Sequence, residues 1–232
     1  MPITVTSMKV HVHESPHATA RAASARIGTL IAESDDRLTL GLAGGSTPKA
    51  TYRALCEWHE GWDRVDAWLS DERWVSHDDS RSNGRMAIET LLDHVSATFH
   101  RPHWAADIEP SDSAVMYEAW LREIHGERRP DAIILGMGTD GHSASLFPGT
   151  DALDETERWF VSNKVPSLGE ERLTVTYPLL LKARLIMVLA VGAEKAEAVR
   201  ASFDGNTPAG RLGDGKALVE WHVDKEAASL LS

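Results

Sequence analysis

The stretch "ILGMGTDGHSASLFPG", Ile134–Gly149, admits two readings, and the choice between them decides what kind of α/β protein this chain forms. Gly136-x-Gly138-x-x-Gly141 has the spacing of a dinucleotide-binding turn and follows an apolar run. That motif needs a long helix whose N-terminus faces the pyrophosphate. Here "SASLF" is stopped by Pro148-Gly149 after little more than one turn. Asp140 would set a carboxylate against the pyrophosphate, and Asp154 and Glu155 come too early to serve a ribose. The stretch is better read as a tight loop, bent at its glycines, that displays Asp140 and His142 beyond an apolar strand. The bland alternative is a structural histidine bonded to a nearby carbonyl, but a position past a strand's end favours a working one.

Outward from this loop the chain alternates strand and helix patterns. Upstream, "ITVTSMKVHVH" reads as a strand, and Ser15-Pro16 opens a helix through "ATARAASARIGTLIAES". "RLTLGLA" is a strand, "GGSTP" breaks it, and "KATYRALCEWH" is helical. "RVDAWLS" is a strand, "DERWVSHDDSRSN" a polar loop, and "GRMAIETLLDHV" a helix. "FHRPHWAADIEPSDS" reads as loop with room for a short strand, and "AVMYEAWLREIHG" as a helix capped by Asp112 or Ser113. "PDAIILGMG", "ERWFVSNKV", "RLTVTYPLL", "ARLIMVLAVG" and "ALVEWHVD" read as strands; "AEKAEAVRASFDG" and "KEAASLL" read as helices. Continuously apolar central strands imply a mostly parallel sheet with helices on both faces, Rossmann-like. With no linker, repeat or low-complexity tract, one domain is expected over residues 1–232. Ligands of such sheets bind beyond the strands' carboxyl ends.

The bulk numbers exclude some partners. A formal net charge of −11 over 232 residues opposes general binding to nucleic acid or anionic membranes. The N-terminal residues carry no secretory pattern and no run approaches a bilayer span, so a soluble, cytoplasmic protein is expected. Cys56 is the only cysteine, which excludes an intrachain disulfide; it reads as a structural thiol.

An acidic chain that binds an anion must gather positive groups locally, and four stretches do so. In "GLAGGSTPKATYRAL", Gly44 and Gly45 bend the chain, and Ser46 and Thr47 offer hydroxyls and amides at a helix start, a cradle for phosphate. An ordinary N-cap is the alternative there, though it needs no pair of glycines. Arg73 ends "LSDER", where it is either part of a surface ion-pair cluster with Asp71 and Glu72 or an anion clamp. Arg172 and Lys195 complete the set. A metal is not expected: His11 and His13 alternate along one strand, with no carboxylate or cysteine spaced to complete a site.

"GLAGGSTP", "SDERWVSHDDSRSNGRMAIETLL", "ILGMGTDGHSASLFPG", "RLTVTYPLLLKAR" and "LAVGAEKAEAV", in this order, resemble the 6-phosphogluconolactonases over about residues 10 to 230. Ser76, Ser143 and Lys182 stand where that family more often has other residues. The resemblance implies a glucosamine-6-phosphate deaminase-like fold and hydrolysis of 6-phospho-D-glucono-1,5-lactone in the oxidative pentose phosphate pathway. It implies no cofactor, a sugar-phosphate substrate, and a monomer or weak homodimer. His142 would be the general acid/base, with Asp140 ordering the loop or the substrate. Gly44, Gly45, Ser46, Thr47, Arg73, Arg172 and Lys195 would bind substrate. Ser145 is not expected to be a nucleophile, because no G-x-S-x-G elbow surrounds it. The related deaminases differ by an aromatic in place of Arg73 and by a glutamate-bearing stretch in place of "SASLFPG". An amino-sugar-phosphate isomerase or deaminase, and a non-catalytic sugar-phosphate sensor, are the competing functions.

Overall fold

A computed structural model describes residues 8–126 and 128–231. Its elements, in chain order, are β1 (Met8–His13), α1 (Pro16–Ala32), β2 (Leu38–Leu42), α2 (Ser46–Leu55), β3 (Val65–Leu69), β4 (Asp71–Arg73), α3 (Asn83–Thr90), β5 (Thr98–His100) and α4 (Pro110–His125). They continue as β6 (Ala132–Gly136), β7 (Phe160–Val165), β8 (Glu170–Val175), α5 (Tyr177–Leu180), β9 (Leu185–Ala190), α6 (Ala196–Phe203) and β10 (Leu218–Asp224). Seven strands form one sheet in the order β1-β10-β9-β6-β2-β3-β5, and every pairing within it is parallel. A smaller antiparallel sheet, β4-β8-β7, packs beside it.

The period of two along the central strands explains the layering. On β6, Ile133 and Leu135 join one apolar cluster, with Tyr117 and Leu121 of α4, Val199 of α6 and the inner face of the small sheet. Ala132 and Ile134 face the opposite cluster, with Ile27 and Ile31 of α1, Tyr52 and Leu55 of α2 and Ala87 of α3. Both faces are therefore covered, which is what lets the strands be apolar throughout. Among the described residues, no helix is long and apolar enough to cross a membrane.

Several local readings need correction. Residues 3–7 of the first expected strand lie outside the described residues. The polar stretch opening with Asp71 is not all loop: Asp71–Arg73 pairs with Arg172–Thr174, a non-local pairing invisible in three polar residues. Helix α4 starts at Pro110, whose fixed φ suits a first turn, not at Asp112 or Ser113; the Ser113 hydroxyl instead donates to the His103 carbonyl at 2.6 Å. The strand expected through "RLTVTYPLL" ends at Val175, and Tyr177–Leu180 is a helical turn. "KEAASLL" forms turns, not a helix, anchored where Asp224 Oδ1 accepts the Ala227 amide at 2.8 Å. Ser15 does cap α1, its hydroxyl accepting from the Ala18 amide. Cys56 donates to the carbonyls of Tyr52 and Thr90, and burial raises its thiol pKa, as suits a structural residue.

At the carboxyl end of α4, His125 is 1% exposed, lies edge-on to Trp68, and has no hydrogen-bond partner for either ring nitrogen among the described residues. Burial pushes its pKa down to about 4. The unfolded chain, with an ordinary histidine pKa near 6.5, binds this proton first, so stability falls as pH drops from about 6.5 toward 4. The difference is worth about 3 kcal/mol at most. His125→Phe should flatten this limb: in urea unfolding, the variant should lose clearly less stability than the parent between about pH 7 and pH 4.5. Parallel losses would sink the assignment.

Candidate active site

From β2 the chain moves toward β3, and from β6 it moves the opposite way, toward β9. The direction reverses between β2 and β6, so a crevice opens beyond their carboxyl ends. The loops leaving these two strands meet there: a Cβ on Gly136 would lie 3.5 Å from the Gly44 carbonyl oxygen. The result is a cavity of about 480 Å³. Gly44, Gly45, Ser46 and Thr47 line it from the β2 loop, Asp140 and His142 from the β6 loop. Arg73 and Arg172 line it from the small sheet, and Lys195 from the turn after β9. Every candidate named from the sequence thus reaches one space.

Within the β6 loop the glycines serve curvature. Gly141 has φ 77°, and the Gly138 amide donates to the His142 carbonyl at 2.9 Å, closing a tight turn. One oxygen of Asp140, Oδ1, accepts both the His142 amide at 3.1 Å and its ring Nδ1 at 2.6 Å. Burial raises the Asp140 pKa, but the amide and ring of His142 outweigh it, and the carboxyl is held below its ordinary value. An ionised acceptor assigns the proton to Nδ1 and leaves the Nε2 lone pair free. Phe147 stacks on the imidazole with ring centres 3.9 Å apart, fixing its plane.

Ser145 holds this loop in place. Its hydroxyl donates to Asp71 Oδ2 at 2.7 Å, its amide donates to Thr174 Oγ1 at 3.1 Å, and its carbonyl accepts from Asn163 Nδ2 at 2.8 Å. Those partners sit on β4, β8 and β7, so all three strands of the small sheet grip one residue. With its hydroxyl spent on a buried carboxylate, Ser145 acts as an anchor. Nothing in the linear sequence pointed to this, because its partners lie 18 to 74 positions away.

The same sheet presents the cations. Arg73 and Arg172 are direct cross-strand partners. Like charges so placed repel. Burial, and after it the charge of Arg73, holds Arg172 below its ordinary pKa, while Glu170 and Asp71 act the other way. Glu170 pairs with Arg172 at 2.6 Å, but Arg73 makes no ion pair among the described residues; it donates to the Arg81 carbonyl. The surface-cluster reading of Asp71-Glu72-Arg73 therefore fails. Glu72 is buried and accepts from the Asn83 and Gly84 amides and the Ser82 hydroxyl, tying down the start of α3. Burial raises its pKa, with those bonds opposing.

Helix α2 starts at Ser46 with no side-chain cap from Gly45, whose φ is 109°. The amides of Ser46 and Thr47 have no intrahelical partner at that end, which suits an anion. Tyr52 fixes the loop before them, its hydroxyl donating to the Ala43 carbonyl and accepting the Ala43 amide.

The Asp140–His142 pair leaves no room at Gly138, where a Cβ would lie 2.2 Å from His142 Nδ1 and 2.5 Å from Asp140 Oδ1. Gly138→Ala should part the two side chains. Followed by carboxyl-carbon NMR, the Asp140 titration should move up in the variant, because bonds that hold it low are lost. An unmoved titration would show that the pair tolerates the methyl group.

The family model for glucosamine-6-phosphate isomerases/6-phosphogluconolactonase matches residues 13–221. A 6-phosphogluconolactonase of Synechocystis is 37% identical over 219 residues, 89% of each chain. The structure of 6-phosphogluconolactonase from Trypanosoma brucei superposes with a TM-score of 0.84 at 28% identity, covering 97% of this chain and 98% of the other. A monomeric glucosamine-6-phosphate deaminase superposes with a TM-score of 0.82 at 27% identity, covering 96% and 100%. With the family model spanning most of its length, the chain belongs to the glucosamine-6-phosphate isomerase/6-phosphogluconolactonase family.

Proposed function

We propose that the chain hydrolyses 6-phospho-D-glucono-1,5-lactone to 6-phosphogluconate, the lactone step of the oxidative pentose phosphate pathway. The observation that carries this reading is the pairing of a histidine, held by a carboxylate at 2.6 Å, with two cross-strand arginines on one cavity, of which only Arg172 has an ion-pair partner, Glu170. A phosphorylated ester substrate asks for such a division of labour. Its phosphate sits between Arg73 and Arg172, with Lys195, Ser46 and Thr47 completing the polar wall, and relieves the repulsion between the two guanidinium groups.

In the reaction, His142 Nε2 takes a proton from water as the oxygen attacks the lactone carbonyl carbon. Asp140 keeps the ring in the tautomer that accepts at Nε2 and stabilises the imidazolium that forms. The tetrahedral oxyanion meets amides of the Gly44-Gly45 turn. The Gly138 amide is not available for this, since it is bound to the His142 carbonyl. Collapse breaks the bond from the carbonyl carbon to the ring oxygen, and the imidazolium returns the proton to that oxygen. The product carboxylic acid then loses a proton to solvent. No metal or organic cofactor enters this scheme. The single cysteine, unpaired and partly buried, accords with a reducing, cytoplasmic setting.

A second reading, deamination of an amino-sugar phosphate, draws on the likeness to the monomeric deaminase. Arg73 in the anion wall and the apolar Phe147 under the histidine favour the lactonase.

The test uses lactone generated in situ, with acid release followed against spontaneous hydrolysis. His142→Ala should lower kcat by about 10² or more while the unfolding midpoint stays close to the parent. Wild-type turnover in that variant would remove His142 from the chemistry. Arg73→Ala should act chiefly on KM, raising it about tenfold, a loss of about 1.4 kcal/mol in binding. Ammonia released from glucosamine 6-phosphate at a higher kcat/KM than lactone turnover would select the second reading.

A further inference from the structure

On the far side of the sheet from the small antiparallel layer, edge strand β1 and its neighbour β10 place a second set of ligating side chains together. In their parallel register His11 pairs with His222, Lys9 with Glu220 and His13 with Asp224, so these positions share one face. His11 and His222 stack with ring centres 4.8 Å apart, and His13 stacks on His222 at 5.3 Å. His11 is exposed, whereas Glu220 and His222 are buried, at 6% and 4% exposure. One ligating atom from each of His11, Glu220 and His222 lies within 4.8 Å of the other two. Sequence spacing gave His11 and His13 no carboxylate; the neighbouring strand, some 209 residues away, supplies it.

Two features set this cluster apart from a packed surface. First, His222 Nε2 is buried without a hydrogen-bond partner among the described residues. It faces Glu220 Oε2 at 3.8 Å, beyond hydrogen-bond length. A buried nitrogen left in that state, beside a carboxylate, is unfavourable unless a third body takes both lone pairs. Second, the outer contacts are already those that orient metal ligands. His222 Nδ1 lies 3.1 Å from His13 Nε2, so the tautomer that metal binding at Nε2 requires, with the proton on Nδ1, has an acceptor in place. Arg26 Nε donates to Glu220 Oε2 at 3.1 Å and lies 3.4 Å from Oε1, fixing the carboxylate's direction while each oxygen keeps a lone pair for an ion.

We propose that His11, Glu220 and His222 form a binding site for a first-row divalent transition ion, Zn²⁺ foremost. Two imidazoles and one carboxylate are a common zinc donor set, and a solvent water takes the fourth position. Tetrahedral zinc needs its ligand atoms roughly 3.3 Å apart, given bond lengths of about 2.0–2.2 Å. His222 and Glu220 are close to that already. The exposed His11 ring closes the remaining distance by rotating about its side-chain bonds. The ion clips the edge strand to the sheet on the face opposite the small antiparallel layer, so it takes no part in hydrolysis.

The tag-free full chain, freed of metal by chelator and dialysis, is titrated with Co²⁺ alone, read by visible d–d absorption, and with Zn²⁺ alone, read by calorimetry. One site is expected, with a Zn²⁺ Kd of about 10 µM or tighter and the intense bands of tetrahedral Co²⁺. Zn²⁺ should raise Tm by a few degrees. His11→Ala, at an exposed position, should weaken binding at least about tenfold and abolish the Tm rise while lactone turnover is unchanged. Glu220→Gln should weaken binding similarly, and His142→Ala should bind as the parent does. Absence of saturable binding below about 1 mM would overturn the proposal. So would undiminished affinity in His11→Ala, or loss of binding in His142→Ala, which would move the ion to the catalytic loop.

Discussion

The grip of the small antiparallel sheet on Ser145 is the constraint on which the site depends. Hydrogen bonds from β4, β7 and β8 converge on one residue whose amide, carbonyl and hydroxyl are all engaged. Beyond that grip, the loop carrying Asp140 and His142 is held at its stem and where the Gly141 carbonyl accepts the Ala209 amide at 3.0 Å. The neighbouring Ala144 has φ 50°, a left-handed conformation that alanine adopts at a cost of roughly 1–2 kcal/mol. Strain of this kind persists only where the surroundings over-determine it. The three bonds to Ser145 provide that surplus, and the strained residue sits between His142 and its anchor.

A division of roles follows between the two sheets. The parallel sheet decides where a ligand binds, because its strand order reverses between β2 and β6. The antiparallel sheet sets the charge of that crevice's wall, because it carries Arg73 and Arg172. The overall charge of −11 makes that wall unusual: positive groups are gathered there against the field of the whole molecule. Two partly desolvated guanidinium groups on adjacent strands, with only Glu170 paired to one of them, supply that charge.

Much of the layout was legible in the sequence. Apolar runs such as "AIILG" and "LIMVLA" announced buried parallel strands, and the early Pro148-Gly149 stop ruled out a nucleotide helix. The residues named for the site all reach one cavity, because strand-end loops in such a sheet have few other places to go. What stayed hidden was non-local. Asp71–Arg73 reads as polar loop since its strand character lies wholly in pairing with β8. Ser145 shows no motif, because its significance is set by Asp71, Asn163 and Thr174. "KEAASLL" has helical composition, yet Asp224 draws the chain into turns by accepting the Ala227 and Gly192 amides. For β4 and for Ser145 the deciding bonds join residues far apart in the chain, and at Asp224 one carboxylate serves both a local and a distant amide.

The anchoring of Ser145 also sets a length. Arg73 and Arg172 ride on the sheet that holds Ser145, and His142 lies just upstream of it in the same loop. The spacing of the two guanidinium groups from the imidazole is therefore written in backbone and buried side-chain bonds. Such a frame behaves as a calliper. Its jaws are the guanidinium pair and the imidazole, and the bonds to Ser145 set how far apart they stand.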